Sequence, residues 1–399
     1  MSQFDSGRRR PESHRIETIA VHTGDDPFRF LGAAAPPIVQ TSTFLFDSYE
    51  ALEEAFANPA THCIYTRGNN PTVRVTEEKL AALEGAEACR LFGSGMAAIS
   101  AAILSCVKAG DHIVSLKTVY GPAYNLMATW LPRFGVETTF IDGTDPAEWE
   151  EASRPNTTLF YLESPSTMVM KLQDLRAVTA IAKARSIRTI IDNSYSTMLL
   201  QRPLELGVDM SVYSATKYLN GHSDVVAGAV LGSSELVGRI NQAEFPLLGG
   251  ISGPMDAWLI ARGLRTLPIR MRQHQESAAK VVDFLVKHPR VTRVNYPGHP
   301  SHPQYELACR QMKGGSSLLS IELDTNELDA VKRFVNGVHY FGLGVSWGGH
   351  ESLLMAPLIA QSRELPPDKW QSMNLVRLHV GLEAAEDLIE DLDQALRLM

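Results

Sequence analysis

Three observations predict an α/β fold, a mostly parallel sheet flanked by helices with a smaller α/β domain at the C-terminal end. Between residues 64 and 253, short β-rich apolar runs alternate with runs of helical period. Those β-rich runs are apolar almost without interruption, as strands covered on both faces must be. After Gly253-Pro254 the alternation gives way to one long helical pattern and then to shorter mixed pieces.

In chain order, a segment of extended and helical pieces comes first, over residues 1–63, and includes PPIVQTSTF (36–44). EACRLF (87–92) reads as a strand and MAAISAAILSCV (96–107) as a helix. DHIVSL (111–116) and PAYNLMATWL (122–131) repeat that pair. TTLFYL (157–162), LQDLRAVTAIAKA (172–184) and RTIIDN (188–193) continue it, and VDMSVYS (208–214) adds a further strand. The domain over 254–399 opens on a helical pattern from Asp256 to His288, in which Pro268 predicts a kink or break. SSLLSIEL (316–323) is then a strand, ELDAVKRFV (327–335) a helix, RLHVGLE (377–383) strand-like, and the chain ends helical.

A chain of 399 residues that is 44% hydrophobic has material for two or three full cores. The net charge of −8 argues against nucleic acid and anionic membrane as partners. Arg8-Arg9-Arg10 is the only basic run, and it reads as part of a polar tail. The apolar stretch Met96–Val107 is too short to span a bilayer. Cys63, Cys89, Cys106 and Cys309 are far apart and have no metal-ligand spacing, which suits a reducing, cytoplasmic setting and no metal.

The chemistry concentrates in DMSVYSATKYLNGHS (209–223). There a strand delivers Ser214, Thr216 and Lys217 to one edge of a sheet. An amine flanked by short hydroxyls suits a Schiff base to an aldehyde cofactor whose phosphate needs donors. That is the demand of pyridoxal 5′-phosphate (PLP). In LFGSGMAAISAAIL, Gly95 permits close approach and Met96 supplies the next amide at a helix start, where an anion is favoured. The same letters fit GxGxxA through Gly93, Gly95 and Ala98. A dinucleotide site is therefore a rival, weakened by the missing acidic residue about 20 positions on, and a tight turn without ligand is the bland alternative. Asp192 ends a strand-like run, where a carboxylate can hold a pyridine nitrogen protonated; a turn or cap is its ordinary fate. Arg377, in an alternating run, can clamp a carboxylate with two parallel hydrogen bonds or lie on a surface strand.

The Lys217 run resembles the lysine motif of the Cys/Met-metabolism PLP enzymes, which include the cystathionine lyases and synthases. The likeness extends from His22 to Glu383, through PPIVQTSTF, YTRGNNPT (65–72), SGMAA, ESPST (163–167), RGLRTL (262–267) and VRLHVGLE. It implies the aspartate aminotransferase-like architecture known as fold type I. It implies phosphate contacts from Gly95, Met96, Ser214 and Thr216, Asp192 on the ring nitrogen 25 residues before Lys217, and Tyr120 stacked on the ring. Ser346, Trp347 and Arg377 fall on the substrate side. Tyr65 and Arg67 correspond to residues that reach the phosphate of the adjacent subunit, which implies a homotetramer of two site-sharing dimers. Without the likeness, YTRGNNPT reads as a loop closed by Asn69-Asn70-Pro71. Where many relatives have Asn, this chain has Ser166 or Thr167.

The resemblance makes the chain a carbon–sulfur lyase of methionine and transsulfuration metabolism, acting on a sulfur-containing amino acid. SWGGHESL (346–353) and ESPSTMVM (163–170) are similar to the bacterial cystathionine β-lyases, which make L-homocysteine, pyruvate and ammonia from L-cystathionine. Val345 departs from the tyrosine usual there and is tolerated by methionine γ-lyase-like enzymes. The alternatives are cystathionine γ-lyase, methionine γ-lyase and a γ-synthase or sulfhydrylase; a PLP-bound regulatory protein with little turnover is more remote.

Overall fold

In the computed structural model the described residues are 15–59, 61–325, 327–356 and 374–399. The Arg8–Arg10 run lies outside them. A seven-stranded sheet is built from β1 (Ala88–Phe92), β2 (His112–Leu116), β3 (Glu137–Ile141), β4 (Thr157–Glu163), β5 (Arg188–Asp192), β6 (Met210–Tyr213) and β7 (Gly228–Gly232), in the order β1-β7-β6-β5-β4-β2-β3. Only β7 runs against its neighbours, so the sheet is mostly parallel.

Both faces are covered, and in β1, β6 and β7 the two-residue period divides the strand between two cores. Phe92, Val212 and Val230 enter one core with Phe160 and Ile190. Their neighbours Leu91, Tyr213, Ala229 and Leu231 enter the other, with Leu80 and Leu264. Each large side chain so buried contributes about 1.5–3 kcal/mol, and neither face is left for solvent.

A second sheet has five strands, β8 (Val291–Asn295), β9 (Leu318–Leu323), β10 (Gly342–Leu343), β11 (Leu353–Met355) and β12 (Leu375–His379), in the order β10-β11-β12-β9-β8. Its core holds Leu319, Ile321, Val376, Leu378, Leu388 and Leu392. The helix Pro254–Leu285 belongs to both halves. Its early residues Ala257, Ile260 and Leu264 pack under the large sheet, and Ala278, Val281 and Leu285 pack under the small one.

Two local expectations are corrected. Of the kink or break expected at Pro268 the break is excluded, since one helix runs through it. Pro268 leaves the Leu264 carbonyl without its helical donor, and the Gly263 carbonyl beside it accepts from Thr266 Oγ1 (3.1 Å) and Arg270 Nη2 (2.8 Å). The helix predicted over 122–131 is α-helical only for Gly121–Asn125 and continues as a π-turn, Leu126–Trp130. Pro132 has no N–H for the Ala128 carbonyl, and the α ladder cannot extend past it. Asn70 and Pro71 do more than close a loop. Asn70 caps the helix Pro71–Glu84, its Oδ1 accepting from Thr72 N at 2.9 Å, with Pro71 at the first helical position.

Candidate active site

Carboxyl ends of the parallel strands gather the candidate residues, as expected for an open α/β sheet. Ser94 caps the helix Gly95–Leu104 after β1 by accepting from Ala97 N (3.0 Å). The amides of Gly95 and Met96, at the first helical positions, have no carbonyl within their own helix. A Cβ on Gly95 would meet Ser214 Cβ and Oγ at 3.0 Å, a tight contact, so glycine lets the helix start close against the end of β6. Ser214 and the Gly95–Met96 turn therefore form one cradle. Thr216 sits beside it, but its hydroxyl donates to Ala227 O (3.2 Å) and accepts from Ala227 N (2.9 Å). It must turn to serve as a donor elsewhere.

Asp192 ends β5, buried, with Oδ1 accepting from Ser194 N at 2.9 Å. Beside it in register, at the end of β4, stands Glu163. Sequence reasoning had not singled it out; the run ESPST was noted for its hydroxyls. Burial, and then the Asp192 charge, push the Glu163 carboxyl up to about 8. Burial also raises Asp192, with the Ser194 hydrogen bonds and Lys217 opposing. Glu163 Oε2 accepts from the backbone N of Tyr120 at 2.6 Å. This ties the Tyr120 turn to the strand ends. The Tyr120 phenol is half exposed and held above its ordinary range by burial, Asp192 and Glu163, with Arg377 opposing.

Lys217 Nζ donates to Ser346 Oγ at 2.6 Å and lies 5.5 Å from the centre of the Trp347 ring. Burial, and then the Arg377 charge, lower its amine to about 8, against the pull of Asp192. Arg377, on β12, donates from Nη2 to Ser346 O at 3.1 Å. No carboxylate pairs with it among the described residues, and burial lowers it to about 10, so it stays a cation near neutral pH. Ser346 thus takes Lys217 on its hydroxyl and Arg377 on its carbonyl, at φ +120°. A non-glycine residue there is strained by about 1–3 kcal/mol and persists only where its surroundings fix it.

Lys217, Asp192, Tyr120, Ser346, Trp347 and Arg377 therefore converge, with Gly95, Met96, Ser214 and Thr216 at the adjoining cradle. Tyr65 and Arg67 do not join them. Both are exposed, the Arg67 guanidinium lies 5.9 Å from the Tyr65 ring, and neither hydrogen-bonds to the others among the described residues. Ser166 N donates to Lys171 O, while its buried Oγ has no partner among the described residues.

The residues present fit an aldehyde cofactor with a phosphate and a basic ring nitrogen. The amine is bonded to a neutral hydroxyl and not locked to a carboxylate, a desolvated carboxylate stands ready for a cationic ring, and a side chain at Gly95 would crowd the amide cradle. Among the described residues no group of His, Cys, Asp or Glu could hold a metal ion, and no helix is long and apolar enough to cross a membrane.

Comparison with known proteins agrees. Residues 17–397 match the family described as Cys/Met metabolism PLP-dependent enzyme. The chain is 45% identical over 396 residues to an L-methionine gamma-lyase of Treponema denticola, covering 98% of each chain. It is 46% identical over 385 residues to that of Porphyromonas gingivalis, covering 95% of this chain and 96% of the other. Against a cystathionine beta-lyase of Lactococcus lactis it is 39% identical over 386 residues, covering 96% and 98%. The solved structure of metB from Corynebacterium glutamicum superposes with a TM-score of 0.91 at 34% identity, over 98% of this chain and 99% of that one.

Proposed function

The chain belongs to the Cys/Met metabolism PLP-dependent enzyme family, it is a PLP-dependent carbon–sulfur lyase, and we propose that the bond it breaks is the Cγ–S bond of a methionine-type amino acid. In this reading L-methionine and water yield methanethiol, 2-oxobutyrate and ammonia. The relatives called methionine gamma-lyase support it, at 45% and 46% identity against 39% for the cystathionine beta-lyase.

The observation that carries the site is Lys217 Nζ on Ser346 Oγ, with Arg377 on the carbonyl of the same residue. When bound, PLP supplies an electron sink for negative charge at the substrate Cα. Gly95, Met96 and Ser214 hold its phosphate, with Thr216 once its hydroxyl turns, and Asp192 is the counter-ion of its ring nitrogen. Arg377 and the Ser346 hydroxyl hold the substrate carboxylate. That anion also offsets the cost of burying the guanidinium. Lys217, lowered to about 8, is the base that takes the Cα proton. Breaking the bond at Cγ requires a second proton to leave Cβ, and Lys217 on its flexible four-carbon stem is the amine we assign to it. The Tyr120 phenol, kept protonated by burial and the two carboxylates, hands its proton to the departing sulfur. Tyr65 and Arg67 serve the neighbouring subunit, supporting amine exchange and the phosphate, in a homotetramer of site-sharing dimers. Residues 64–253 then form the cofactor unit and 254–399 the substrate side.

Cystathionine β-elimination is the second reading. It rests on Trp347, whose ring centre lies 5.5 Å from Lys217 Nζ and which stands where the similar cystathionine β-lyases carry SWGG. Purified protein given L-methionine and L-cystathionine separately decides between them. Methanethiol with 2-oxobutyrate supports the first reading. Homocysteine with pyruvate from cystathionine, and no thiol from methionine, overturns it in favour of the second. For the shared site, co-refolded Arg67→Ala and Lys217→Ala regain part of the activity; no regain overturns sharing.

A further inference from the structure

Strand β12 carries a second side chain toward the same loop. His379, two residues after Arg377, is buried. Its Nε2 accepts from the backbone N of Gly348 at 3.0 Å, and Nδ1 lies 2.9 Å from Ser317 Oγ. Nε2 also lies 3.2 Å from the Gly349 carbonyl. A proton on Nε2 would set two donors face to face across the 3.0 Å contact with Gly348. The tautomer that satisfies Gly348 and Ser317 together carries its proton on Nδ1. Burial, and then His274, lower the ring to about 3, which keeps it neutral.

From Ser317 the connection returns to the cofactor side. Ser317 Oγ lies 2.8 Å from Tyr218 OH, which also accepts from Ser317 N at 3.1 Å. Tyr218 follows Lys217 in the chain. Gly348 itself, at φ +86°, sits so close to this turn that a Cβ would meet Tyr218 N at 2.7 Å. The far end of the loop is anchored independently. Leu382 N donates to His350 O at 2.8 Å, and Glu383 accepts from Ser352 N at 2.8 Å and Ser352 Oγ at 2.9 Å. The near end, Ser346 to Gly348, has the strained residue, and Lys217, Arg377 and His379 hydrogen-bond to it.

We propose that His379 is a positioning residue, which through the Gly348 amide holds Ser346 in its strained conformation where it meets Lys217 and Arg377 at once. This rests on the assignment of Ser346 and Arg377 to the substrate carboxylate.

The test uses the PLP-loaded enzyme and three substitutions read by KM, kcat, cofactor absorbance and Tm. His379→Gln places an acceptor where Nε2 was, His379→Asn replaces only the Nδ1 contact, and His379→Leu removes both. Asn and Leu should lower kcat/KM about 10- to 100-fold, mostly through KM, the size expected when a positioned group shifts by about 1 Å. Cofactor content should hold, and Gln should restore most of the loss. A role in folding alone would lower Tm and leave KM unmoved, which overturns the proposal, as would Asn and Gln behaving alike. If the Leu variant fails to fold, the Asn–Gln contrast decides. Arg377→Gln serves as control. A KM raised by Arg377→Gln but not by His379→Asn overturns the role of His379 alone; a KM unmoved by both overturns the carboxylate site and this inference with it.

Discussion

The two sides of the active site carry opposite charge and are built differently. On the cofactor side, Asp192 and Glu163 stand together at the ends of neighbouring parallel strands, and burial pushes both carboxyls up. On the substrate side, Lys217 and Arg377 share Ser346, and burial pushes both cations down. The largest cause is the same in all four, charge taken out of water, and a neighbouring like charge adds to it at Glu163 and Lys217. In the proposed reading each side is completed by a ligand of opposite sign: a protonated ring nitrogen for Asp192, a substrate carboxylate for Arg377. The carboxylates sit on strands fixed by a two-faced core. The arginine relies on a loop with a strained serine.

Substitutions on each side test that contrast. Lys217→Ala is expected to lower kcat by about 10⁴-fold or more, beyond the upper end of what one acid–base group supplies, because the covalent link is lost as well. In the unaltered protein borohydride should fix the cofactor to the Lys217 peptide; labelling of another lysine would sink the assignment. Arg377→Ala should cost about 2–5 kcal/mol in kcat/KM with cofactor content unchanged. Apo protein from this variant would move Arg377 to the other side of the comparison. Asp192→Asn should lower kcat by about 10²-fold, the size of removing one preorganised electrostatic contact, with KM little changed; a change confined to KM would contradict its cofactor-side role.

The smallest effect is that of Glu163→Gln, and it concerns pH. A carboxyl raised from 4.5 to about 8 by folding keeps its proton where the unfolded chain has lost it. Its stabilising contribution is complete below about pH 4.5 and is lost as pH rises through about 8. Asp192 is shifted in the same direction. Relative to the unaltered protein, Glu163→Gln should therefore gain Tm as pH rises from 5 to 8, while its amide oxygen still accepts from Tyr120 N. Equal slopes would show that Glu163 is ionised throughout.

Much of the cofactor side was legible in the sequence, because local pattern decides it. A strand, two hydroxyls and a lysine are contiguous, and Asp192 closes an apolar run. The rest depends on pairings between distant segments. Glu163 becomes informative only when β4 and β5 set it beside Asp192, and nothing in ESPST marks that register. His379 occupies a position that alternation alone reads as one more buried strand residue; its contact with Gly348 spans 31 residues. Thr216 was legible as a hydroxyl near Lys217, but its bonds to Ala227 were not, since they arise from the turn between β6 and β7. The π-turn after Tyr120 was masked by an apolar run of ordinary helical period, and Pro132 was its only local sign.

The helix Pro254–Leu285 gives these two sides a common mechanical axis. With 32 residues and a rise of about 1.5 Å each, it is a rod of roughly 48 Å, one end in the core of the large sheet and the other in that of the small. A rod embedded at both ends resists hinging between them, which favours a constant spacing between the carboxylate and arginine sides. The same coupling makes melting communal: loosening either core withdraws apolar support from the shared helix and weakens the other, and calorimetry should register one transition where two separate sheets would give two.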